Sequence, residues 1–200
     1  MFKKILLLLL LVSTLTSVAQ NSYFVDTKKK KTIVRNDAID ILVIDNRISY
    51  KLPGKTWEKY ITFKDLDYLV HGPYKFKAFT INNKREGYYI IAEEGSKKLV
   101  GISIVREVMS SKGTILTRSV YNYLYVLEND TTVLYDLLVK DSKNKRNREK
   151  RTEIPEQIKS YFPNCTPLLN RIDSLLQNSS DPEFLSILEL IQNPIYIQCN

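Results

Sequence analysis

Histidine occurs once in the 200 residues, at His71. A single imidazole excludes every multi-histidine metal centre, including the zinc hydrolases built on H-E-x-x-H. Glycine is almost as scarce: six occur, none in G-x-G-x-x-G or G-x-x-x-x-G-K-[ST]. Without such a phosphate cradle, nucleotide-dependent chemistry is not expected. No serine sits in a G-x-S-x-G elbow. The two cysteines, Cys165 and Cys199, match neither C-x-x-C nor a zinc spacing. Beyond the N-terminus no apolar run approaches the ~20 residues that cross a bilayer. No cofactor or metal is expected from this inventory.

What the chain does have begins at its first residue. Lys3 and Lys4 precede an unbroken apolar run from Ile5 to Val12 with six leucines in a row. Polar residues follow, and Ser17-Val18-Ala19 places small side chains before Gln20. These are the three regions of a secretory signal, with cleavage expected between Ala19 and Gln20. An eight-residue apolar core is too short for a membrane anchor. The expected product is a soluble periplasmic or secreted protein with no transmembrane segment. Losing residues 1–19 removes Lys3 and Lys4 and lowers the formal charge from +8 to +6. A modest positive surplus favours anionic surfaces in general and does not choose among them. In an oxidising compartment Cys165 and Cys199 are most simply a disulfide, which would pin the chain end beside the helical segment near Thr166. Two separate buried thiols are the alternative.

From Tyr23 to about Lys140 short apolar runs alternate with period two and are rich in Ile, Val, Tyr and Thr, the signature of strands. Tyr74, Phe76 and Ala78 alternate with Lys75 and Lys77, giving one apolar and one cationic face. Two hairpins are predicted. One runs Gly87–Glu93 into Lys98–Arg106 through a turn at Gly95, the other Tyr121–Glu128 into Thr132–Val139 through Asn129-Asp130-Thr131. Residues 141–152 carry Lys143, Lys145, Arg146, Arg148, Lys150 and Arg151 with almost nothing apolar, and read as a solvated basic connector. Helical spacing then begins at Pro155, at Thr166-Pro167 and at Asp181-Pro182. Such short helices cannot stand alone. The predicted fold is mainly β within the α+β class: an antiparallel sheet or half-closed barrel over 20–140, capped by two to three short helices in 153–200, one cooperative domain over 20–200.

Candidate chemistry is thin. His71 lies in Val70-His71-Gly72-Pro73, a turn context. Asp65 and Asp67 share a strand face, and Glu93-Glu94 ends a strand with its two carboxylates on opposite faces. Paired acids near His71 could run a hydrolysis if folded to the right separation. Solvated acids are the plainer reading. Lys143, Lys145, Arg146 and Arg148 form the candidate contact for an anionic polymer, and Lys28 to Lys31 is a second basic run. In an exported chain neither implies nucleic acid. Thirteen tyrosines and the single Trp57 offer ring faces for a sugar or base, though tyrosine at alternate strand positions also serves ordinary sheet packing.

Three segments carry a resemblance: the leader ending Ser17-Val18-Ala19-Gln20; Trp57 to Leu66 followed by Tyr74-Lys75-Phe76-Lys77; and Tyr161-Phe162-Pro163-Asn164-Cys165-Thr166-Pro167-Leu168. Together they resemble a group of small exported β-rich proteins of Bacteroidota. The ending Cys199-Asn200 departs from the Tyr-Asn pair common in such tails. That group has no assigned activity, so the resemblance implies compartment and β-rich form and transfers no catalytic residue. The sequence therefore points to a non-catalytic exported protein binding an envelope component, glycan or protein. The competing expectation is a hydrolase of uncommon type using Asp65, Asp67 or Glu93 near His71.

Overall fold

The computed structural model describes residues 22–141, 144–177 and 185–199. The proposed leader, with Ala19 and Gln20, lies outside them, as do Lys143 and the Asp181-Pro182 helix start. The chain is mainly β, with its helices toward the C-terminus. Twelve strands occur among the described residues: β1 (Tyr23–Asp26), β2 (Lys31–Ile33), β3 (Ile39–Leu42), β4 (Arg47–Tyr50), β5 (Lys59–Thr62), β6 (Leu66–His71), β7 (Tyr74–Ile81), β8 (Lys84–Glu94), β9 (Lys97–Met109), β10 (Ile115–Glu128), β11 (Thr132–Lys140) and β12 (Ile197–Gln198). Eight of them form an antiparallel sheet in the order β11-β10-β9-β8-β7-β6-β1-β2, and β3-β4-β5 make a second, three-stranded sheet. The two ends of the large sheet are not joined, so the architecture is the open form of the two expected. The short β12 adds to β8 in parallel at Ala92 and Glu93, just past the point where β7 begins.

Both predicted hairpins are present and longer than the alternation suggested, because β9 and β10 continue together as an exposed arm to Met109 and Ile115. The turns work as their residues dictate. Gly95 takes φ 59°, and Asn129 and Asp130 both take positive φ, at 51° and 64°, where Asn and Asp are the side chains best tolerated.

Helix α1 (Lys145–Tyr161) corrects the expected basic connector: the chain is helical ten residues before Pro155. The cap explains the start, since Asn144 Oδ1 accepts the Asn147 N–H at 2.8 Å. Pro155 thus lies inside the helix rather than at its beginning, where its missing N–H leaves one intrahelical bond unmade. The side chain of Arg151 is fully buried and Lys150 Nζ reaches the Leu138 carbonyl at 2.7 Å, so this basic stretch is docked on β11. Helix α2 (Thr166–Gln177) starts where expected. The described part of the third element is a 3₁₀ turn over Leu185–Leu188 and a single-turn α3 (Glu189–Gln192).

Two apolar clusters hold these layers. Ile154 and Ile158 of α1 with Phe162 at its C-cap, Leu168 and Ile172 of α2, and Ile187, Leu190 and Ile191 pack on Ile91, Leu99, Leu124, Val126 and Val139 of the sheet. The second cluster joins the small sheet, through Ile48, Tyr50 and Ile61, to Phe63, Leu69, Phe76 and Phe79. Gly87 permits that contact: a Cβ there would stand 2.2 Å from the Phe76 ring and 2.7 Å from Phe63. No described helix is long and apolar enough to cross a membrane.

Candidate functional site

Strand alternation sends Phe76 and Ala78 of β7 into the core and leaves Lys75 and Lys77 on the opposite face, opposite Val70 and Tyr68 of β6. On the neighbouring strand Ile90 shares that face with Lys75. Strict alternation would then turn Glu93 away. A β-bulge prevents this: the pairing slips between Ile90↔Val100 and Ala92↔Leu99, leaving Ile91 as an extra residue. Glu93 is thereby re-aimed to the side of Lys75 and stands opposite Lys98 in the ladder. The two hairpin turns lie side by side, with the Asn129 N–H donating to the Ser96 carbonyl at 3.0 Å, which brings Asp130 to Lys98.

The end of the chain closes the site. The Tyr196 N–H donates to the Pro73 carbonyl at 2.9 Å and the Cys199 N–H to the Glu93 carbonyl at 2.8 Å. The Cys165–Cys199 disulfide, the pairing expected from the sequence, ties this tail to the base of α2. The Tyr196 hydroxyl then donates to Glu93 at 2.6 Å and also meets Gln198.

These elements wall a cleft of about 690 Å³ whose lining includes Tyr23, Tyr68, Tyr74, Tyr196 and six charged residues, Lys29, Asp67, Lys75, Lys77, Glu93 and Lys98. Together with Asp130, which is outside the lining but pairs with Lys77 and Lys98, the charges form one alternating chain. Lys29 pairs with Asp67 at 2.6 Å, Asp67 with Lys77 at 3.6 Å, and Lys77 with Asp130 at 2.9 Å. Asp130 pairs with Lys98 at 2.6 Å, Lys98 with Glu93 at 3.8 Å, and Glu93 with Lys75 at 2.5 Å. Lys75 also lies 4.5 Å above the Tyr196 ring.

The electrostatic consequence is uniform. Burial would push the three carboxyls up, but the lysines outweigh it and hold Asp67, Glu93 and Asp130 all below the ordinary carboxylate range. At Glu93 the Tyr196 hydroxyl assists. Burial likewise opposes the charge on Lys77, yet Asp130 and Asp67 raise its pKa overall. Tyr196 is raised by burial and by Glu93, so it stays a protonated donor. The three carboxyls are thus ionised acceptors and the Tyr196 hydroxyl a neutral donor. None of the three carboxyls is shifted upward, as a general acid at neutral pH requires.

The sequence candidates are distributed unevenly over this geometry. Asp67 and Glu93 belong to the cleft; Asp65 does not, and accepts the Thr62 hydroxyl at 2.7 Å in the turn before β6. His71 lines a separate groove with Asp40, Tyr89 and Gln192, and its Nδ1 lies 2.8 Å from the Ser22 hydroxyl. Burial lowers the His71 pKa and favours the neutral ring. The acids and the histidine are therefore not gathered around one space. Lys145 and Arg146 are exposed on the first turn of α1 with Arg148 one turn on, and Lys145 stands 3.9 Å from Glu149. Among the described residues no three His, Cys, Asp or Glu side chains are grouped as metal ligands. The cationic face of β7 was legible in the sequence; Lys29, Lys98, Asp130 and Tyr196 as members of the site were not. No known protein family, curated protein or solved structure matches the chain.

Proposed function

We propose that this is an exported, non-catalytic binding protein and that its ligand is a hydroxyl-rich component of the cell envelope, a glycan, held in the cleft between β6, β7, β8 and the chain end. The observation that carries the reading is the continuous chain of ionised acceptors and ammonium donors set among tyrosine rings. Sugars are bound by such sets: carboxylates accept from hydroxyls, ammoniums donate to ring and hydroxyl oxygens, and aromatic faces cover the apolar C–H surface. The downward-shifted carboxyls favour binding over acid catalysis, and His71 lining a different groove from Asp67 and Glu93 supports the same reading. Export rests on the leader pattern at Lys3 to Ala19 and agrees with a formed disulfide. The resemblance to exported Bacteroidota proteins points the same way. Titrating isotope-labelled protein with a panel of neutral and acidic oligosaccharides is expected to move the amide signals of Gly72, Lys75, Glu93 and Lys98 selectively. A panel in which no member moves them defeats the proposal.

A second contact is favoured by one observation. The first turn of α1 has no acid, so Lys145 and Arg146 add their charge to the positive end of the helix dipole, and Lys145 is 88 % exposed. This is an electrostatic contact for an anionic polymer. Replacing Lys143, Lys145, Arg146 and Arg148 by serine is expected to lower the salt concentration at which the protein leaves a heparin column. Unchanged elution would retire the contact.

A further inference from the structure

The charges in the cleft say what kind of saccharide it takes. Asp67, Asp130 and Glu93 each touch two lysines, and Lys77 and Lys98 each touch two carboxylates. The chain therefore begins and ends on an ammonium, four against three, and the surplus sits at its ends. Lys29 is largely in water, where its charge is well solvated. Lys75 is different: its side chain is only 24 % exposed, and it faces one carboxylate and the Tyr196 hydroxyl at 3.4 Å. An ammonium has three donors, so Lys75 retains one for a ligand in the cleft it lines.

Resting on the glycan reading above, we infer that the cleft is selective for an acidic saccharide carrying one carboxylate per bound unit, a uronate, with that carboxylate on Lys75 and the sugar hydroxyls on Glu93. A single negative charge balances the four ammoniums. A doubly charged phosphate ester would overshoot that balance and be repelled by the three carboxylates. A simple anion without hydroxyls would leave those carboxylates with no donor from the ligand. Tyr74 and Tyr196 flank the Lys75 end of the cleft and supply the ring faces for the sugar. The volume, about 690 Å³, lies within the usual range for small-ligand sites.

The test is calorimetric titration of the disulfide-bonded protein at low salt with the singly charged methyl galacturonoside and with its neutral counterpart, methyl galactoside. A charge-assisted hydrogen bond predicts about ten-fold tighter binding of the uronate. The readout is the ratio of the two affinities: Lys75→Gln should bring that ratio to about one, whatever it does to the neutral sugar, and Lys75→Arg should keep the preference. Serine at Lys145 and Arg146 should leave both affinities as they were. Equal affinity for the two sugars overturns the acid preference and leaves the glycan reading standing. Uronate binding that survives Lys75→Gln and is lost with the α1 variant moves the contact to the helix and overturns the inference. Binding of neither sugar overturns the inference, and silence across the whole oligosaccharide panel defeats the glycan reading with it. A thermal melt of Lys75→Gln matching wild type separates loss of selectivity from loss of fold.

Discussion

Replacing Cys165 and Cys199 together by alanine will lower the unfolding free energy by about 3–4 kcal/mol and will loosen one wall of the cleft. The disulfide joins positions 34 residues apart, and the figure is the loop-closure entropy that the cross-link removes from the unfolded chain. Alanine is the right replacement, since both sulfurs are buried among apolar side chains and a serine hydroxyl there would add a desolvation penalty of its own. Guanidinium unfolding measures the loss. The local consequence follows from what else holds the tail: β12 is two residues long, two backbone hydrogen bonds anchor Tyr196 and Cys199 at the cleft, and side-chain bonds run from Arg171 to the Ile195 carbonyl and from Tyr196 to Glu93. Amide exchange at these two positions should therefore quicken more than exchange in β9 or β10, whose bonds belong to the sheet interior. Equal protection factors in the two proteins, or an unchanged unfolding midpoint, would show that packing of α2 alone positions the tail.

Why the sheet was legible in the sequence and the first helix was not is a matter of which residues carry the periodic signal. In β7 and β10 apolar side chains recur at alternate buried positions, Phe76 and Ala78, Leu124 and Val126, β9 buries the run Leu99 to Ile102, and turns at Gly95 and Asn129-Asp130 punctuate them. Both cues are local, so the two hairpins could be read directly, whereas the register slips within them could not. In α1 the buried stripe is Asn147, Arg151, Ile154 and Ile158, a regular helical spacing in which the first two members are polar. A search for apolar periodicity sees only the second half, and the cationic composition around it resembles a solvated linker. Arg151 is the decisive case, because a fully buried guanidinium is invisible to any rule that sorts residues by hydropathy.

The site divides in the same way. Lys75 and Lys77 could be assigned to one face from alternation alone. Glu93 could not, because the bulge that re-aims it depends on an irregular pairing between Ile90 and Ala92 that no local motif announces. Asp130 has the composition of a turn residue and occupies a turn; its bond to Lys77 spans 53 residues. Tyr196 reaches Glu93 across 103 residues, and the one sequence feature that placed it was the cysteine three positions later. Residues recruited by long-range closure carry no local signature, whereas the scaffold that closes around them does.

Asp130 is the residue where turn geometry and cleft electrostatics can be pulled apart. Asparagine tolerates the left-handed conformation that Asp130 adopts, so Asp130→Asn keeps the turn and removes only the charge between Lys77 and Lys98. The two ammoniums, each largely shielded from water, then face each other with a neutral amide. The expected loss at neutral pH is about 2 kcal/mol, less than for a fully buried pair because the Asp130 side chain is one-third exposed. Its pH dependence identifies the cause. Burial tends to raise the Asp130 pKa, but Lys98 and Lys77 depress it below the ordinary 3.8. A carboxyl depressed on folding contributes its stability in full above the unfolded value and loses it as pH falls through the folded one. The wild-type and Asp130→Asn stability curves should therefore run parallel near neutrality and converge below about pH 4, where the wild-type carboxyl takes up its proton and becomes as neutral as the amide. Chemical unfolding at a series of pH values draws both curves. A gap that persists unchanged into acid would assign the loss to the turn itself, and the alternating chain of charges would then contribute nothing to holding the cleft together.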